Sequence, residues 1–356
     1  MVALRSLLTA LLRRTHGSAL VRSVARRVPR LRFLTGGVHR SKVWGVARGG
    51  PVVLGFGFPP EAEVDVDRAL PEMAKHFVAR KARAKIVRDE FRRCGSEAVL
   101  QWGGFVPRSL QGLIRDVGTL PTISCWSGPV PLRVGGNEYR TIAVDWSGLY
   151  INPRRSNDLE LILNHFDFRA RPDLVALAGR LRRAAFPPPT GTEVTVILQD
   201  RSDRPMAYAP PDRPSPAELV AIARREHPEA RANVAIMARA DRVASIAAGL
   251  PDDVAIVPSE AVGDALARSA HVYTVNSPIA VDAVLRGAAV TVFGQPFFAG
   301  YGLTDDRGRI VRRTRQLDAD ELFAGLFGLH CRLIGPDGRL VGLTTIDDAL
   351  RGASAA

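Results

Sequence analysis

From residue 51 onward, short apolar runs alternate with longer stretches of helical period. The runs Pro51–Gly57, Ala98–Gly103, Glu193–Gln199, Asn233–Met237, Val254–Val257, His271–Asn276 and Ala288–Phe293 are the candidate strands, several apolar almost throughout, as in strands buried on both faces. Between them Met73–Arg93, Asn157–Phe166, Ala217–Glu226, Glu260–Ser269 and Ile279–Arg286 repeat apolar residues every three or four positions and predict helices. Such alternation predicts an α/β fold with parallel sheets covered on both faces. The segment Phe186–Thr192 holds three prolines and a glycine and separates two such series. The expected architecture is therefore two Rossmann-like domains facing across a cleft, at 49–186 and 193–320. A tail at 1–48 precedes them, and a C-terminal helix and tail at 321–356 follow.

Length supports two cores: 356 residues at 46% hydrophobic content exceed what one core of ordinary size needs. The net charge of +13 suggests nucleic acid until it is located. Met1–Arg48 holds eleven Lys or Arg and no acid, the first carboxylate being Glu61, so the remainder carries only +2 and no nucleic-acid partner is expected. Within that tail Leu4, Leu7, Leu8, Leu11 and Leu12 recur at helical spacing beside Arg5, Arg13 and Arg14. Two readings stay open, a basic amphipathic helix on an anionic membrane surface and a solvated leader. The apolar stretches are too short to span a bilayer, and the interrupted run lacks the form of a cleaved signal peptide. Cys94, Cys125 and Cys331 are isolated from one another and fit a reducing cytoplasm, with peripheral attachment to the inner membrane as the tail's option.

Three familiar-looking motifs carry little. Asp65-Val66-Asp67 has a metal-binding form but is expected to precede a helix, where acids favour the first turn. Gly55-Phe56-Gly57 follows a strand, yet Phe58, Pro59 and Pro60 stand where a dinucleotide fingerprint needs a third glycine. His165 and Asp167 lack further ligands, so no metal is expected.

The stretch from His271 is richer. A strand there runs into Asn276, Ser277 and Pro278, with Ser277 as expected N-cap and Pro278 at the first helical position. The N–H groups of that turn would suit a phosphate, and Asp282, one turn in, would suit ribose hydroxyls. The alternative is a plain capped helix with a solvated Asp. Next comes GQPFFAGYGLTDD, Gly294–Asp306, dense in glycine and aromatic residues and following a strand end; such a loop orders only if it packs or binds.

That loop resembles the signature of the capsule polysaccharide biosynthesis family, the β-Kdo transferases, close to G-x-PFYAGWGLT-x-D. The preceding VYTVNSPIAVDAVLRG, Val272–Gly287, is similar to the family's VHT-x-TS-x-x-GFEALL-x-G. GLYINPRRSNDLE, Gly148–Glu160, resembles GIYYDATRPSDLE, and Gly104-Phe105 with Arg108-Ser109 resembles EDGFLRS. The closing stretch Asp320–Leu350, with the turn Gly335-Pro336-Asp337-Gly338, is similar as well, so the likeness spans roughly Val43 to Leu350. The resemblance implies the two-domain glycosyltransferase architecture called GT-B, and transfer of Kdo or a related sugar from a CMP-sugar to a lipid-linked glycan, with no cofactor and no metal. It implies nucleotide-sugar contacts from Arg239, Asp241, Asn276, Ser277 and Asp282, and from Gln295, Pro296, Phe297, Gly300 and Tyr301 of the loop. Arg108 and Ser109 fall on the acceptor side. Other capsule assembly and export proteins are implied partners.

Two departures matter. Trp102 and Gly103 stand where the family has a Glu-Asp pair, and neither can act as base or nucleophile. Met237-Ala238-Arg239-Ala240-Asp241 replaces Lys-Pro-His-Pro-Asp; Arg239 could still neutralise a phosphate. Three readings remain: an active transferase that borrows an acid from Gln101, Asp116, Asp145 or Glu97; a family member without catalysis acting as a binding or assembly partner in polysaccharide export; and an unrelated nucleotide-binding oxidoreductase, opposed by the missing glycine fingerprint.

Overall fold

The computed structural model describes residues 38–40, 52–78, 89, 91–92, 95–103, 111 and 121–355. The tail, apart from 38–40, and the acceptor-side residues Arg108 and Ser109 lie outside them, as does Asp116. The chain divides into two compact units: one holds residues up to 126 with 142–149 and 337–340, the other 127–141, 150–336 and 341–356.

The first unit is built on parallel strands β2 (Val52–Phe56), β3 (Ala74–Val78), β4 (Ala98–Trp102) and β5 (Thr122–Ser127), with β1 (Val38–Arg40) antiparallel to β3. Their order is β1-β3-β2-β4-β5. Helix α1 (Pro60–Ala69) follows β2, with Pro60 pre-set for the first helical position. The predicted helix from Met73 begins instead as strand β3. Lys75 explains the misreading: its polar charge broke the strand pattern, yet the side chain is fully buried. Its ammonium donates to the carbonyls of Leu70 and Met73 and lies 3.7 Å from Asp67. Asp65 and Asp67 thus sit inside α1 rather than before a helix.

A hairpin follows, β6 (Leu132–Val134) pairing antiparallel with β7 (Asn137–Asp145). Gly135 and Gly136, at φ 57° and 76°, supply the two left-handed positions that a tight hairpin turn requires.

The second unit centres on a six-stranded, all-parallel sheet. Its strands are β8 (Glu193–Gln199), β9 (Ala232–Met237), β10 (Ala255–Val257), β11 (Ser269–Thr274), β12 (Ala289–Val292) and β13 (Asp305–Asp306), in the order β10-β9-β8-β11-β12-β13. Its helices are α2 (Asp158–His165), α3 (Pro172–Ala185), α4 (Pro216–Glu226), α5 (Ala240–Ala247), α6 (Val262–Arg268), α7 (Val281–Arg286), α8 (Ala319–Phe323) and α9 (Leu343–Ala355). Val194, Val196, Leu198, Leu219, Val220, Val234 and Tyr273 form the core between the sheet and α4.

The expected domain boundary at Phe186–Thr192 is not where the units divide. Helix α3 packs against α8 and α9, and Arg182 ties it to Asp320 at 2.5 Å and to the Leu285 carbonyl at 2.7 Å. The proline run is a connector inside the second unit, leading α3 into β8. Among the described residues no helix is long and apolar enough to cross a membrane.

Candidate functional site

In the second sheet, β8 leads through α4 to β9 on one side, whereas β11 leads through α7 to β12 on the other. The two directions part between β8 and β11, and open α/β sheets bind ligands at that point, beyond the C-terminal strand ends. Gln199 closes β8 there and Asp200 follows it, Val275 and Asn276 come after β11, and Gly294 and Gln295 after β12.

Asn276, only 3% exposed, braces this edge. Its Oδ1 accepts from the Gln295 N–H at 2.6 Å, and its Nδ2 donates to the Pro205 carbonyl at 3.0 Å. Gly294 is required by the same approach, since a Cβ would fall 2.2 Å from Asn276 Oδ1. One amide therefore holds the signature loop and the 200–206 loop together.

The signature loop orders itself by packing. Phe297, Phe298, Ala299 and Tyr301 are buried, and Phe297 meets Tyr150 edge to face at 5.3 Å. Buried Arg313 donates to the carbonyls of Pro296 and Ala299 at 2.5 and 3.0 Å and to Glu160 at 3.2 Å. Arg312 grips the same Glu160 through two hydrogen bonds of 2.8 and 3.1 Å. Thus the segments 148–160 and 294–306, far apart in sequence, meet through two arginines that sequence reasoning overlooked; the adjacent Arg312-Arg313 pair was the available signal. Gly300, at φ +85°, donates its N–H to Asp306. The expected ligand contacts of Phe297 and Tyr301 are corrected accordingly: their rings belong to the core, and burial raises the Tyr301 hydroxyl pKa. Pro296 faces Arg313 with its carbonyl, and Gln295 Nε2 donates to the Arg309 carbonyl at 2.6 Å.

Two further expectations change. Ser277 opens a 3-10 turn, Pro278–Ala280, rather than an α-helix, and makes no side-chain cap; its N–H donates to Thr274 Oγ1 at 3.3 Å. The α-helix proper begins at Val281 and is six residues long. Asp282 is buried and accepts from Arg286 Nε at 2.5 Å. Burial raises its pKa while Arg286 and then Arg133 act to lower it. The carboxylate assigned to ribose is thus engaged one turn further along its own helix.

Arg239 and Asp241 stand at the start of α5, beyond β9, paired at 3.1 Å. Arg239 keeps 84% of its side chain exposed, in contrast to the buried Asn276. The segment 200–204, DRSDR, entered none of the sequence readings, which stopped at the strand end Gln199. Here Asp200 accepts from the Ser202 N–H and hydroxyl and from Arg242 at 3.2 Å, and the Ser202 bonds hold its carboxyl below the usual range. Asp203 accepts from Gln199 Nε2 at 2.8 Å and from the Arg204 N–H at 2.9 Å, although burial raises its pKa. A cavity of about 620 Å³ lies where β9 and β10 begin, at the opposite edge from these groups. Among the described residues no group of three or more His, Cys, Asp or Glu is placed to hold a metal ion.

The first unit ends its parallel strands differently. Phe58, Trp102 and Trp126 cluster there, Phe58 and Trp102 at 5.5 Å and the two indoles nearly parallel at 6.4 Å. Gly103 has φ +70°, and a Cβ on it would lie 2.2 Å from the Trp126 ring. Of the acids considered as substitutes, Glu97 precedes β4 and so sits at the wrong end of the strand, and Asp145 is fully buried beside Cys125, whose thiol pKa is raised by burial and then by that charge. Gln101 is buried and donates to Ser124 Oγ at 2.9 Å.

Residues 213–334 match the family model described as capsule polysaccharide biosynthesis protein. The chain is 31% identical over 219 residues to the lipopolysaccharide-processing protein LpsZ of Rhizobium meliloti, covering 54% of this chain and 49% of LpsZ. It is 28% identical over 207 residues to the capsule polysaccharide modification protein LipA of Neisseria meningitidis serogroup A, covering 52% of this chain and 29% of LipA. The match thus spans about half of one relative and under a third of the other. Among solved structures, the β Kdo 2,4 transferase of Thermosulfurimonas dismutans KpsC superposes with TM-score 0.61 at 23% identity, over 84% of this chain and 97% of that one. The β Kdo 2,7 transferase of the same KpsC gives 0.57 at 20% identity, over 84% and 98%. Those two share the mixed α/β fold. Through residues 213–334, this chain is similar to proteins of the capsule polysaccharide biosynthesis family.

Proposed function

We propose that the chain binds a CMP-activated sugar, Kdo or a close relative, at the C-terminal edge of its second sheet and serves in transfer of that sugar to a lipid-linked glycan. The carrying observation is Asn276, which joins the signature loop to the 200–206 loop where the strand order reverses. The exposed Arg239 supplies a cation beside that edge. Fold likeness to two Kdo transferases supports the sugar class and a GT-B assignment, in which the second unit is the donor half and the first the acceptor half. The basic tail fits peripheral attachment to an anionic inner-membrane face, where a lipid-linked acceptor would lie. Neither a cofactor nor a metal enters this reading.

Titration calorimetry against CMP, CMP-Kdo and UDP-sugars tests the donor. Binding of CMP-Kdo with weak or no UDP-sugar binding is expected, and a UDP preference would refute it. Vesicle co-sedimentation at low salt tests the tail: deleting residues 1–40 should weaken attachment, and unchanged attachment would oppose it.

A second reading, a family member without catalysis that acts in assembly or export, is favoured by one observation. The family's acidic pair is replaced by Trp102 and by a glycine whose position admits no side chain beside Trp126. A radiolabelled transfer assay with CMP-Kdo separates the two: turnover above the uncatalysed background supports the transferase, and donor binding without turnover supports the partner role.

A further inference from the structure

The signature loop is flanked by a surface of another kind. Residues 307–317 hold five arginines and no acid. Arg307, Arg313 and Arg315 are engaged inward, with Glu226, Glu160 and the Phe166 carbonyl. Arg309 and Val311 lie on the outside instead: Arg309 is exposed, and Val311 is 66% exposed, more than any other large hydrophobic residue among those described. Arg312 keeps 41% of its side chain exposed while it grips Glu160, and its Nη2 donates to the Pro153 carbonyl at 2.6 Å. Arg154 and Arg155, both exposed, follow that carbonyl directly. Asn164 Nδ2 donates to the Arg312 carbonyl at 3.2 Å, and Leu161, one turn earlier on the same side of α2, is 42% exposed. Two aliphatic side chains thus stand among arginines, and the Glu160 carboxylate beneath them is 3% exposed and already holds two guanidiniums.

We propose that this face, the 309–312 segment with the turn 152–156 and the outer side of α2, rests on an anionic lipid surface. The guanidiniums meet headgroup phosphates, and Val311 and Leu161 enter the boundary between headgroups and acyl chains. A protein partner is the weaker fit, because the central anchors of such interfaces are enriched in Trp and Tyr, whereas the exposed apolar members here are aliphatic. Arg313, next in the chain to Arg312, holds the Pro296 and Ala299 carbonyls, so the contact sets the signature loop close to the headgroups. The surface belongs to the folded second unit and depends neither on the basic tail nor on the nucleotide reading.

Co-sedimentation of the full chain, tail included, with vesicles of phosphatidylcholine alone and of phosphatidylcholine with phosphatidylglycerol tests it. Binding should need the anionic lipid, and Arg155→Ala combined with Arg309→Ala should weaken it about 25-fold, about fivefold for each arginine near the surface. Raised salt should narrow the difference. Val311→Cys carrying an environment-sensitive dye reads the same face directly, since Cys125 and Cys331 are buried, and the chain without the added cysteine controls for labelling elsewhere. Its emission should move to the blue on the mixed vesicles; should the double variant misfold by circular dichroism, the dye decides alone. Partitioning unchanged by the double substitution, with an unmoved dye, would overturn the proposal and leave any attachment to the tail. A dye that moves with heparin, a soluble polyanion, and not with vesicles would overturn it as well.

Discussion

The two parallel sheets end in opposite chemistries. In the first unit the strand ends of β4 and β5 carry indole rings and a glycine pinned beneath one of them. In the second, the ends of β8, β11 and β12 carry amides and carboxylates whose hydrogen bonds run between loops. Parallel strands thus end in a ring-lined edge in one place and a polar, braced edge in the other. Strand order only makes a crevice; the residues one or two positions past each strand determine what it can hold.

The strongest way to break this contrast is Glu160→Ala. It leaves Arg313 buried without its carboxylate, and losing one partner of a buried pair costs about 3–5 kcal/mol. Urea unfolding should record that loss, and CMP affinity should fall with it, because the signature loop loses its anchor. Gly103→Ala should cost about 2–5 kcal/mol, combining left-handed backbone strain with overlap against Trp126. The contrast between the units predicts that CMP affinity survives this change, so a parallel loss of binding would show that the ring-filled edge also serves the nucleotide. Asn276→Ala should cost about 1–3 kcal/mol by leaving the Gln295 N–H and Pro205 carbonyl unpaired, and should weaken CMP binding. An unaffected affinity would remove Asn276 from the site.

The smallest effect at neutral pH concerns His330, which burial pushes down to about 4. An unfolded histidine takes up its proton near pH 6.5, so between about 6.5 and 4 the unfolded chain binds the extra proton. Stability should therefore fall with pH across that window, by about 1.4 kcal/mol per unit for this group, and level off below it. Thermal melts of His330→Leu should show a shallower slope; an unaltered slope would mean that other groups dominate.

Much of the second unit could be read from sequence because its strands are nearly continuous apolar runs closed by proline, serine or glycine, a pattern that only buried parallel strands need. Reading failed where a charge had a hidden partner. Lys75 turned a strand into an apparent helix since nothing local announces the carbonyls of Leu70 and Met73 that receive it. The signature loop failed in the opposite sense: glycines and aromatics suggested a ligand, whereas Phe297, Phe298 and Tyr301 fill the core and Arg313 spans their backbone. The order of the strands was legible and the contacts of the side chains beyond them were not, since strand order follows from local pattern and side-chain direction from long-range packing.

Gly103 also constrains how this protein can change over generations. A carboxylate at position 103 meets Trp126 and a left-handed backbone at once, so the single substitution arrives in a damaged fold. A smaller residue at 126 opens the space first and leaves only the backbone strain. The order of the two changes then matters more than either one: lineages that first trim Trp126 keep a route to an acid at this strand end, and those that retain the indole are held away from it by sterics alone.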